Sequence, residues 1–140
     1  MPSLKKALQS VEELDHDSDR YLHAKASIYN EIGRVHVMVS QLDSAASSFI
    51  KALEIASGIP QIRLLHFDIK YNLSSTCEQA GNVDASCSGL RLAAVLLKDM
   101  LDHPAKPPQG YGANGEQFLT GVAVPRVLAR QQWLGCSFDE

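Results

Sequence analysis

Shifted by 41 residues, the chain falls onto itself. Asp43 lands on Asp84, Phe49 on Leu90, Ala52 on Ala93, Ile32 on Leu73 and Gly33 on Ser74. Self-similarity at a fixed period is the mark of stacked repeats, in which one unit cannot bury its apolar face alone and its neighbour covers it. Shifted the other way, Leu4, Leu8 and Val11 land on Ala45, Phe49 and Ala52. The first segment therefore reads as the second half of an earlier unit.

The units are helical. Leu4, Leu8, Val11 and Leu14 form one stripe, with Ser3 available as a cap. The polar run Asp15 to Asp19 breaks it and supplies caps and carboxylates for the next helix. Tyr21, Ala24, Ile28, Ile32, Val35 and Val39 carry a helix over about 19–39, and Ala45, Phe49, Ala52 and Leu53 a third over about 44–56, capped by Asp43. Ser57-Gly58 stops it, glycine reaching the left-handed conformation at little cost. Pro60 suits the first turn of a fourth helix, which reaches Ala80 before Gly81-Asn82. Asp84 caps a fifth, which runs to about Leu101. No useful strand alternation appears.

Residues 103–115 hold three prolines and three glycines and read as a linker. Residues 116–140 read as a helical tail, in which Pro125 opens a second short helix rather than sitting inside a long one.

Tyr29, Ile32, Gly33, Ala45, Phe49 and Ala52, at relative spacings of 3, 1, 12, 4 and 3, resemble the tetratricopeptide repeat (TPR) pattern. Leu73, Ser74, Ser86, Leu90 and Ala93 continue it, whereas Lys70 stands where Tyr29 has a large side chain, and His36 and Cys77 where a bulky one belongs. The period of 41 exceeds the usual 34. The seven extra residues are about two turns at roughly 3.6 residues each, so each stripe keeps its direction. Longer repeats of this kind are similar to those of kinesin light chains and Pins-type polarity adaptors. The resemblance implies an all-α fold of antiparallel helix pairs, stacked as a short right-handed solenoid over residues 1–102: a half repeat at 3–15 and repeats at 19–57 and 60–101.

The resemblance further implies that the first helix of each pair lines a concave face. Ser27, Asn30, Glu31, Arg34 and Met38 would face a partner from one repeat, and Asp68, Tyr71, Asn72, Ser75 and Gln79 from the next. Arg and Tyr are types that often carry binding energy. Relatives that grip the carboxylate of a chaperone tail use lysines, asparagines and an arginine at set places; here only Asn72 matches, with Asn30 in place of a lysine and Arg34 in place of an asparagine, so no tight docking of such tails is expected. The expected role is a non-enzymatic scaffold or adaptor that takes a peptide or helical segment. The alternative is a self-associating subunit, a homo-oligomer through open solenoid ends, or a fragment of a larger repeat protein.

The remaining features point away from chemistry. The five histidines show no His-Glu-x-x-His or finger spacing, so no metal or other cofactor is expected. His66 and Cys77 lie 11 residues apart, about 16 Å along a helix, too far for a catalytic pair. The glycine-rich stretch 110–115 lacks the Lys-Ser/Thr ending of a phosphate loop. A net charge of −3 with no dense basic cluster points away from nucleic acid. The apolar run Leu90 to Leu101, 12 residues interrupted by Arg91, Lys98 and Asp99, is shorter than the roughly 20 a bilayer span takes. Leu92, Val95, Leu96 and Met100 are expected to pack on a following helix. Three cysteines without a close pair suit a reducing compartment, and no leader is visible, so a cytoplasmic protein is expected, with Cys77 and Cys87 as small apolar core residues and Cys136 in a flexible end.

Solenoid ends need covering. Phe118, Leu119, Val122, Val127, Leu128, Trp133 and Leu134 are expected to cover the last helix. Deleting residues 103–140 should lower the melting temperature and promote aggregation, measured by thermal scanning and light scattering. An unchanged melt with a monomeric profile would count against such a cap.

Overall fold

The computed structural model describes residues 2–13, 18–59, 63–103 and 119–136. It is all-helical, with no strand among the described residues. The helices are α1 (Pro2–Glu12), α2 (Asp19–Met38), α3 (Leu42–Ala56), α4 (Arg63–Gln79), α5 (Val83–Asp102) and α6 (Val124–Leu134), with a π-helical turn, Leu119–Ala123, leading into α6. Each helix packs on the next in order, and α2 also touches α4.

The boundaries follow local chemistry. Ser18 caps α2, its hydroxyl accepting from the Tyr21 amide at 3.1 Å. Asn82 caps α5 by accepting from the Ala85 amide at 3.1 Å, so Asp84, the expected cap, lies two residues on, in the first turn. Asp43 likewise sits in the first turn of α3, after Gln41. Gly81 leaves α4 at φ 85°, as a left-handed stop should. Ser57 keeps right-handed geometry and Gly58 is not among the positive-φ residues, so α3 ends without a left-handed glycine. Pro60, the expected opener of α4, lies outside the described residues.

The core is built on small side chains. Ala26, Ala45 and Ala52 are fully buried, and Phe49 packs among them with Ala56 and Ile69. On α2 the buried residues are Tyr21, Ala26, Asn30 and Gly33, while Ala24, Ile28, Ile32 and Val35 are half-buried and Val39 is exposed. Apart from Tyr21, the apolar stripe read from periodicity thus flanks the closest line of approach instead of forming it. Backbones draw near where side chains are small, and the larger ones splay to either side.

At the crossing of α2 and α3, a Cβ built on Gly33 would lie 2.5 Å from Phe49 Cε1, closer than real contacts allow. At the equivalent crossing of α4 and α5 the small residues change places. Gly33 is replaced by Ser74, and Ser48, the residue before Phe49, by Gly89. A Cβ on Gly89 would collide with Ser74 Oγ. Each crossing has one glycine, on opposite helices.

A second apolar cluster closes the far end. Phe67, Leu90, Ala93, Leu97 and Met100 meet Ala123, Val127 and Cys136. Arg63, at the start of α4, holds the end of α5 by bonding the Asp99 carboxylate and donating to the His103 carbonyl at 2.6 Å. This satisfies a carbonyl left open at a helix end. Pro125 occupies the first turn of α6. A proline ring would crowd the carbonyl four residues back, and the wider π turn supplies room there.

The tail covers α5 with a different set from the one expected. Val127 is buried and Leu134 half-buried, but Val122, Leu128 and Trp133 are exposed, and Phe118 with the side chain of Leu119 falls outside the described residues. The π turn shifts the helical phase, so Ala123 and Val124 turn inward instead. Met100 and Leu96 pack in this cluster, whereas Leu92 and Val95 stay exposed.

Cys87 and Cys136 form a disulfide, with Cα atoms 5.5 Å apart. This corrects the reading of all three cysteines as unpaired, of Cys87 as a plain core residue and of Cys136 as part of a flexible end. Two positions 49 apart in sequence give no local signal of pairing. Cys77 alone is free.

Gly33→Ala should destabilise the protein by about 1–3 kcal/mol through overpacking against Phe49. Ser74→Ala should stabilise it by about 1 kcal/mol, because the buried Ser74 hydroxyl has no hydrogen-bond partner. Urea denaturation of both variants, in which the serine variant lost stability and the glycine variant did not, would reverse this account of the crossings.

Candidate partner-binding surface

The residues expected to face a partner divide into two groups. Asn30 is only 3% exposed. Its side-chain amide donates to Asp68 Oδ2 at 3.0 Å, and Asn72 Nδ2 donates to Asn30 Oδ1 at 3.0 Å. Asn72 also approaches Asp68 Oδ2 at 3.5 Å. These three side chains tie α2 to α4. Helical spacing places them on one face but cannot say whether that face meets water or a neighbouring helix.

The second group stays open. Glu31 and Arg34 pair at 2.8 Å with both side chains more than half exposed, a geometry that adds little to stability. Met38 is 81% exposed. Arg34, Val37 and Met38 of α2 meet Asn72, Ser75, Thr76 and Gln79 of α4 around a cleft of about 210 Å³ with Phe49 in its lining. The structure therefore brings Arg34, Met38, Asn72, Ser75 and Gln79 together. Ser27 is half-buried.

Tyr71 belongs to an adjoining cleft of about 360 Å³, which it lines with Arg126, Ala129, Arg130 and Trp133 of α6. The Arg126 guanidinium stands 5.7 Å from the Tyr71 ring centre, and the Phe67 ring, one turn earlier on α4, lies 6.1 Å from it. Arg130 Nε is 3.4 Å from Glu78 Oε1. Trp133 is 77% exposed. Sequence reasoning missed Arg126 and Arg130 and gave Trp133 a covering role. The 41-residue period stops at the linker, so no offset connects α4 to α6, and only the pairing of aromatic and basic residues in the tail could have hinted at them.

The opposite face of α4 differs. Lys70, Leu73 and Cys77 lie about half a turn from Asp68, Asn72, Ser75 and Gln79, at roughly 100° per residue. With Leu53, Ser74, Ala85, Gly89 and Leu92 they line a cleft of about 180 Å³. Burial pushes the Cys77 thiol up and the Lys70 ammonium down. His66 is also lowered, by burial first and then by the charge of Lys70. A thiol held in its neutral form is a weak nucleophile. Among the described residues no three His, Cys, Asp or Glu side chains gather as a metal site would require, and no helix is long and apolar enough to cross a membrane.

At the other end of the molecule, α1 is fastened to α2 by a shared polar knot. Tyr21 donates to Glu12 at 3.0 Å, and Lys25 bonds the Tyr21 hydroxyl at 2.9 Å and Glu12 at 3.1 Å. The bond to Tyr21, then that to Glu12, raises the Lys25 pKa, so the ammonium form is favoured.

No family model matches the chain, and neither a curated protein nor a solved structure matches it.

Asn30→Ala should cost about 1–3 kcal/mol in urea denaturation, since it strips a donor from Asp68 and an acceptor from Asn72 at a buried contact. A change confined to partner recovery, with stability untouched, would mean that Asn30 serves the surface and not the helix pair.

Proposed function

We propose that this chain is a non-enzymatic protein-interaction scaffold whose helix pairs form a short TPR-like solenoid, and that the row formed by α2, α4 and α6 receives a peptide or helical segment of a partner. The observation that carries the reading is the open cleft between α2 and α4, with the exposed Met38 at its edge and the hydroxyl and amide groups of Ser75 and Gln79 beside it. A flexible apolar side chain next to hydrogen-bonding groups suits an extended or helical ligand, anchored by one side chain and held by its backbone. At about 210 Å³ the cleft is smaller than the roughly 300–1,000 Å³ of a small-molecule site and takes a side chain or two. Arg34 remains an edge contact, and Tyr71 joins the groove through its cleft with α6. The long period and the glycine at each crossing support the repeat assignment.

Self-association is the second reading, and a specific feature favours it. Leu92 and Val95 are 51% and 61% exposed on α5. On another side of the same helix, Leu97 and Leu101 line a mainly apolar cleft of about 220 Å³ with Val124, Val127 and Leu128 of α6. The cytoplasmic setting loses the support of its cysteine argument, because two of the three cysteines are bonded to each other.

Affinity capture with the wild type beside a Met38→Ala/Gln79→Ala variant tests the groove, since both side chains are exposed and their loss leaves the core intact. Partners recovered by the wild type should fall at least tenfold with the variant. Identical recovery would defeat the groove reading, and light scattering that gives a dimer mass would favour self-association.

A further inference from the structure

We propose that the Cys87–Cys136 disulfide is a thiol-exchange latch that holds α6 against α4 and α5, so that the redox state of this pair decides whether the α6 wall of the groove is in place. The consequence for binding rests on the groove reading above, whereas the latch itself rests on packing alone.

The bond joins α5 to the second residue past the end of α6. Without it α6 is lightly held. Among residues 121–136 only Ala123, Val127, Gln131 and Cys136 are buried. Among the described residues its side-chain polar ties to the other helices are Arg126 over the Tyr71 ring and Arg130 against Glu78. The helix has 11 residues, and isolated helices shorter than about 12–15 residues are marginal in water. Opening the bond also frees a loop spanning 49 residues, which restores chain entropy to the detached state. Helices α2 to α5 lose no covalent tie to one another.

Exchange is confined to this pair. Cys87 is half-buried and Cys136 buried, so attack by a small thiol falls on the Cys87 side of the bond. Burial raises the pKa of Cys77, which keeps little thiolate available to attack the bond. The reductant is a dithiol. One of its thiolates attacks a sulfur of the bond and forms a mixed disulfide, and the other cysteine leaves as a thiolate and takes up a proton. The second thiol of the reductant then displaces the attacked cysteine. The protein gains two electrons and two protons, and the dithiol becomes a disulfide.

The chain has one tryptophan, Trp133, and it lies on α6. Its fluorescence anisotropy therefore reports the helix directly in the full-length protein. Alkylation after denaturation should place one label on the oxidised protein, at Cys77, and three on protein treated with dithiothreitol. Reduction should lower the Trp133 anisotropy and raise trypsin cleavage after Arg126 by about tenfold or more. Cleavage after Arg34 and most of the helical circular dichroism should be unchanged. Cys136→Ser should behave as reduced protein under both conditions, and Cys77→Ser as wild type.

Three labels on the oxidised protein would overturn the proposal. So would full reduction with the Trp133 anisotropy and Arg126 cleavage unaltered, or a collapse of all helicity, which would make the bond a staple of the whole fold. None of these readouts uses a partner. The Met38→Ala/Gln79→Ala capture can therefore fail while the latch stands, and the reverse also holds.

Discussion

The distance between paired helices governs this molecule. Backbones can come close only where a side chain is missing or small, and one glycine stands at each of the two main crossings. Gly33 makes room for Phe49, and Gly89 for Ser74. The exchange of position between the two units keeps the combined volume at each crossing low without keeping residue identities. Phe49 can be fully buried beside Ala26, Ala45 and Ala52 because of that clearance, and the half-buried stripe of larger residues follows from it.

Polar groups then divide according to what the packing leaves uncovered. Asn30, Asp68 and Asn72 are spent on one another across α2 and α4, where unpaired amides would be costly. Arg34, Met38, Ser75 and Gln79 lie beyond that line and edge an open cleft. The same helix faces thus carry a structural row and an accessible row about one turn apart. On the far side of α4, burial pushes the Cys77 thiol up and the Lys70 ammonium down from their ordinary values.

The end of the chain is held in another way. The tail meets the rest through a modest apolar patch, two cationic contacts and a disulfide. Its helix brings Arg126, Arg130 and the exposed Trp133 to the cleft that Tyr71 lines. The exposed Trp133 of the proposed binding row therefore sits on a helix with few non-covalent ties.

By itself the sequence determined the helical class, the order of the first five helices and the glycine-led stop at Gly81, because periodicity, caps and left-handed glycines act within a few residues. It also placed Gly33, Ala45, Phe49 and Ala52 at the packing face, where the residue match at an offset of 41 showed the same alternation of small and large positions. Tertiary structure alone decided that Asn30 turns inward, since a helical face does not record which neighbour covers it. It alone paired Cys87 with Cys136 and brought Arg126 to Tyr71. Those contacts join segments separated by a stretch with no periodic signal, and their distances are set by how helices stack, which no local pattern encodes.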